Sequence, residues 1–98
     1  MNSMTVAYSQ LNFDTKKDCN QAILSFPEET EILSVEVRDN KSCLYINYMA
    51  PSENFEIDLS KKVLFNICKC NFTEIDVKRN RYIGNVVIRG ESFAVFCN

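Results

Sequence analysis

Histidine and tryptophan are missing from this 98-residue chain. Without imidazole there can be no Cys-His or Ser-His-Asp nucleophile arrangement, no histidine acid–base group and no His-containing metal site. Carboxylate pairs, lysine chemistry and Ser-Lys dyads remain open, but none has a motif here. A non-catalytic protein is therefore expected, with a carboxylate-dependent enzyme as the last of the readings. Glycine is nearly absent too. Gly84 and Gly90 cannot build a GxGxxG turn or a P-loop, which need several glycines ahead of a helix. No stretch approaches the roughly 20 apolar residues that span a bilayer. The opening MNSMTVAYSQ has neither a basic segment nor an apolar one, so no signal peptide is read, and a cytoplasmic location is expected. Long polar or charged tracts are also lacking, which argues against disorder.

The chain does hold five cysteines, at 19, 43, 68, 70 and 97. An odd number cannot pair completely within one chain, and the missing leader points to a reducing compartment, so free thiols are expected. Cys43, Cys68 and Cys97 stand among apolar neighbours and read as small core side chains. Cys68-Lys69-Cys70 has neither the C-x₂₋₄-C spacing nor the second ligand pair of a zinc site, so no metal and no cofactor are expected. The sequons at Asn40 and Asn71 mean little in such a compartment.

The length suits one domain, 1–98, with most apolar residues committed to one core. The net charge of −2 is uneven: residues 1–50 carry four Lys/Arg against seven Asp/Glu, and residues 51–98 carry seven against six. Neither half is basic enough to announce nucleic acid. Eleven asparagines beside many Lys, Ile and Phe fit an AT-rich coding sequence, of the kind common in phages and mobile bacterial loci.

Residues 4–12 alternate loosely and read as a strand. Asp14 stands as a helix N-cap, and Cys19, Ala22, Ile23 and Phe26 form the stripe of a helix over 15–26 that ends before Pro27. In 31–38, Leu33, Val35 and Val37 alternate with polar residues. Asp39-Asn40-Lys41 turns the chain, and 42–49 returns as the second strand of a hairpin. A short strand follows at 54–59. Ser60 is a second N-cap candidate, and Val63, Leu64, Ile67 and Cys68 lie on one face of a helix over 61–70 with Asn71 as C-cap; a strand through VLFNICKC is the rival. Residues 72–78 and 82–89 read as strands around an Arg79-Asn80-Arg81 turn, with Gly84 a candidate bulge. The strand 92–97 is apolar on both faces, as a central strand is. The two halves show a faint parallel in this order of elements. The fold expected is α+β: a mostly antiparallel sheet of five to seven strands with two helices packed on one face.

Three surface features could carry function. Glu28, Glu29 and Glu31 surround the turn before the hairpin, and Glu53, Glu56 and Asp58 line the loop and strand after it. Such carboxylates can mimic phosphate and enter the basic active site of a nuclease. Tyr45, on the exposed face of the hairpin, is a residue type enriched at interface hot spots. Opposed to these, Lys78, Arg79, Arg81, Tyr82 and Arg89 mark a 78–89 hairpin that could touch phosphates and stack a base. These features favour a small binding or inhibitor protein. Its most concrete form is an immunity protein that neutralises a bacterial toxin by direct binding, and nuclease action is expected of that toxin domain. A phage accessory protein inhibiting a host factor and a nucleic-acid-binding module are the alternatives.

Overall fold

The computed structural model describes residues 3–38, 43–55, 59–76 and 78–98. It contains seven strands: β1 Met4–Leu11, β2 Cys19–Phe26, β3 Glu31–Val37, β4 Leu44–Pro51, β5 Lys61–Lys69, β6 Arg81–Ile88 and β7 Glu91–Cys97, with a 3-10 turn at Ser52–Asn54. They form two antiparallel sheets, one ordered β1-β4-β3 and the other β2-β5-β7-β6. One apolar cluster joins both, with Leu11, Ile32, Leu44 and Ile46 from the first sheet and Phe26, Phe65, Ile67, Phe93 and Val95 from the second. Tyr48 packs between Phe26 and Phe55, and burial pushes its phenol upward in pKa.

The expected α+β fold is overturned, because both helices are strands. In β2 the core-facing residues are Asn20, Ala22, Leu24 and Phe26, which is a period of two. Asn20 hid that period, since a polar residue reads as solvent-facing. Its amide is buried because it bonds the chain at Asp14 twice, accepting from the Asp14 N–H at 3.1 Å and donating to the Asp14 carbonyl at 2.8 Å. Asp14 itself caps a turn, its carboxylate accepting from the Lys16 N–H at 2.9 Å. In β5, Val63, Phe65 and Ile67 enter the core while Leu64 lies half-buried on the other face, so an interior strand produced the helix-like spacing. Ser60, read as a cap, donates to the Glu28 carboxylate instead.

The hairpin of 31–49 is present as β3 and β4, and β7 is central in its sheet. Leu33 does not share a face with Val35 and Val37: a bulge between Ile32 and Ser34 puts Ile32 into the core and leaves Leu33 exposed. The turn at 39–41 and residues 56–58 of the expected 54–59 strand lie outside the described residues; residues 52–55 and 59–60 are not strand. Residues 72–76 are not strand either. Since β5 and β6 both run antiparallel to β7, they are parallel to each other, and the chain must travel back along the sheet to join them. Residues 70–76 and 78–80 belong to that crossover.

The free-thiol expectation also fails for two of the five cysteines. Cys19 and Cys68 stand directly opposite in the β2/β5 register and are joined by a disulfide, with Cα atoms 4.2 Å apart. The Lys69 N–H bonds the Asp18 carbonyl at 2.8 Å, so the neighbouring Cys19/Cys68 pair falls at a non-hydrogen-bonded position, where facing side chains come closest. Cys43, Cys70 and Cys97 are free.

The sheets meet along β3 and β6, which both carry a bulge, the second between Tyr82 and Gly84 as expected from the glycine. Gly84 has φ +150°, and a Cβ built there would stand 3.1 Å from Val35 Cγ2. Glycine thus allows the close approach of the two edges, which Arg81 spans by donating to the Ile32 carbonyl at 3.3 Å.

Candidate functional site

The outer face of the three-stranded sheet follows from its register. Leu11, Leu44, Ile46 and Ala50 point into the core, so Met4, Val6, Tyr8 and Gln10 of β1, with Tyr45, Asn47 and Met49 of β4, point outward. Met4, Val6 and Tyr8 are 47, 67 and 55 % exposed. Tyr8 and Tyr45 meet edge to face with centroids 5.4 Å apart. The Arg38 guanidinium sits 4.1 Å from the Tyr8 centroid and 5.5 Å from that of Tyr45. Two of its nitrogens donate to Glu36 Oε1, at 3.0 and 2.7 Å. That contact, with Asn47 adding to it, holds the Glu36 carboxyl below its ordinary pKa and Arg38 above its own. The cluster orients a cation and two aromatic rings toward solvent, with an apolar strip of Met4, Val6 and Met49 alongside.

At one end of this face the acidic residues converge. Asn54 donates to the Glu28 carbonyl at 2.9 Å, which ties the 3-10 turn bearing Glu53 to the turn bearing Glu28 and Glu29. Glu31 opens β3 beside them, opposite Met49. Glu28, Glu29, Glu31 and Glu53 are all exposed. Glu53 is thereby brought to the end that holds Glu28, Glu29 and Glu31. Glu56 and Asp58 lie outside the described residues. Lys61 reaches into the same end and donates to the Thr30 carbonyl at 2.7 Å, so the region is not purely anionic.

The basic residues are only partly brought together. Lys78, Arg79 and Arg81 line a cleft of about 340 Å³ with Cys97. Arg79 stands 4.0 Å from Asp76 with both side chains well exposed, a pair of little energetic weight. Tyr82 is committed to the sheet, its ring edge-on to Phe96 and its hydroxyl bonded to Asn85. Arg89 sits beyond the far end of β6, roughly 25 Å along the strand from Arg81.

A second cleft, about 660 Å³, was not signalled by the sequence. The crossover forms one wall with Glu74, Ile75, Asp76 and Asn80; Lys17, Gln21, Asn66 and the Cys19–Cys68 disulfide form the rest. Asn80 fixes the crossover, accepting from Asn66 at 2.7 Å and donating to the Asp76 carbonyl at 2.8 Å. Its lining of amides and opposite charges suits water and polar groups. Among the described residues, no group of three or more Cys, Asp or Glu side chains is placed to hold a metal ion, and no helix is long and apolar enough to cross a membrane. Compared with protein-family models, curated proteins and solved structures, the chain matches none.

Proposed function

We propose that this chain is a non-catalytic inhibitor that acts by binding another protein through the outer face of its three-stranded sheet. The reading rests on the Tyr8–Tyr45–Arg38 cluster beside the exposed strip of Met4 and Val6. Tyrosine and arginine dominate interface hot spots, and rings and guanidinium already held by one another lose little freedom on binding. The acidic end formed by Glu28, Glu29, Glu31 and Glu53 gives the partner a chemical character: a basic surface that is drawn in by charge and seated on the aromatic cluster. A nucleic-acid-cleaving toxin has such a surface. An immunity protein against such a toxin is accordingly the most specific form of the proposal, and a phage protein directed at a host factor is the alternative within it.

The test is co-purification with the toxin domain encoded beside it, followed by binding kinetics on variants. A one-to-one complex is expected. Tyr45→Ala and Arg38→Ala should each weaken it by about 2 kcal/mol, or roughly 30-fold, mainly through faster dissociation. Glu28→Lys with Glu53→Lys should slow association, and more so at low salt. Affinity untouched by all four changes would sink the proposal. The cleft lined by Lys78, Arg79 and Arg81 supports one second reading, a nucleic-acid contact. It requires salt-sensitive oligonucleotide binding that Arg79→Ala with Arg81→Ala weakens.

A further inference from the structure

Among the described residues, β1 ends the three-stranded sheet and pairs with β4 on one side only. Strands in this position are commonly blunted by lysine, proline or a bulge. The eight residues MTVAYSQL hold no charge and no proline, and their register against β4 runs from Met4 to Leu11 without a shift.

Pro51 reveals which backbone groups face the open edge. It stands opposite Met4 and has no N–H to donate. One step on, the Ser52 N–H bonds the Ser3 carbonyl at 3.0 Å. Bonded and non-bonded pairs alternate along an antiparallel ladder. Thr5, Ala7, Ser9 and Leu11 therefore bond to β4, while the N–H and C=O groups of Met4, Val6, Tyr8 and Gln10 point outward.

We infer that a second copy of this chain pairs with that edge, β1 running antiparallel to its counterpart about a two-fold axis at Ala7. In this register Met4 meets the partner's Gln10 and Val6 meets the partner's Tyr8. All four outward residues then fall in hydrogen-bonded pairs, each exchanging two bonds. A slip of one residue would set outward groups against inward ones, and centring on Val6 would leave Gln10 without a described partner. The side chains agree with the backbone. Met4, Val6 and Tyr8 continue into the copy's row as one apolar stripe, and Thr5, Ala7 and Ser9 form a small-residue row on the other face. An uncharged strand meets no like charge in its own copy, so the pairing is electrostatically permitted in a way that a lysine-bearing edge forbids. The result is a six-stranded sheet that presents two Tyr8–Tyr45–Arg38 clusters on one continuous face. The inference stands whatever that face binds.

Sedimentation equilibrium of the full chain, with amide exchange followed by NMR, tests it. The expected result is twice the chain mass, with protection of the Val6, Tyr8 and Gln10 amides that grows with concentration. Thr5 and Ala7 should be protected at every concentration. Val6→Lys should shift the chain to monomer with unchanged circular dichroism, and Val6→Pro should do the same, since it deletes an outward N–H without touching the ladder to β4. Exchange on the unmodified chain decides the matter should both variants unfold. A monomer at all concentrations, a dimer that leaves those three amides unprotected, or a dimer that survives both variants would overturn the inference.

Discussion

The two sheets finish their outer faces differently. On the four-stranded sheet, Glu74, Ile75, Asp76 and Asn80 of the crossover lie along the outside, and the disulfide ties the terminal strand β2 to β5 beside them. On the three-stranded sheet, Met4, Val6 and Tyr8 stay open and the side chains that point outward organise one another. Connectivity makes the difference. Two strands flanking β7 on the same sheet demand a crossover, whereas β3 and β4 are consecutive and need only a short return. The crossover consolidates the part of the face it covers, while Ile23, Tyr82 and Val87 stay exposed on the rest of it.

Removing the cross-link from the covered side should have the largest effect. Cys19→Ser with Cys68→Ser releases a tie across a sequence separation of 49 residues, and loss of about 4 kcal/mol is expected from the chain entropy alone. Urea unfolding of the double variant, compared with the unmodified chain with and without reductant, measures it. Reduced unmodified protein should unfold at the midpoint of the variant. Cys43→Ser, on the open sheet, should leave the midpoint nearly in place. Equal shifts from both changes would erase the contrast between the sheets.

A smaller effect is expected where the sheets join. Gly84→Ala should cost about 1–2 kcal/mol, because alanine resists φ +150° and its Cβ would stand 3.1 Å from Val35 Cγ2. Gly90 also has positive φ, but a Cβ there meets nothing within 4 Å. Gly90→Ala therefore reports backbone strain without the contact and should cost less. A double variant, Gly84→Ala with Val35→Ala, should recover part of the loss. No recovery would place the whole penalty in the backbone.

What could be read from the sequence follows the same division. Alternation located strands at 31–38, 42–49, 82–89 and 92–97, because those segments bury one face or sit centrally in a sheet. It failed for β2 and β5. There a buried Asn20 satisfied by backbone and an outward Ile23 broke the period, and apolar residues on both faces of β5 imitated a helix. The disulfide was illegible for the same reason, since Cys19 meets Cys68 only once both segments are strands in register. Of the candidate surface, Tyr45 and the acidic residues were visible as types. Tyr8 and Arg38 were not, since only the β1/β4 pairing and the return of β3 bring them to Tyr45. The 78–89 cluster was overdrawn, because a strand eight residues long separates Arg89 from Arg81.

The finest probe of the open face is the titration of Glu36. Hydrogen bonds from Arg38, and then from Asn47, hold its carboxyl below the ordinary carboxylate pKa. A depressed folded-state pKa means that any stability from this contact is present above the unfolded value, around 4.3, and is lost as pH falls through the folded one. The pair lies on the surface, so the change in stability should be slight, while the titration itself remains a sensitive reporter of the cluster. NMR of the Glu36 side chain should show a midpoint below the ordinary value. Arg38→Ala should move it upward, and Tyr45→Ala should move it less, since the ring positions the guanidinium without touching the carboxylate. If Arg38→Ala leaves the midpoint where it was, Arg38 is not held over the tyrosines by Glu36, and the open sheet has no preformed cluster to set against the tied and covered one.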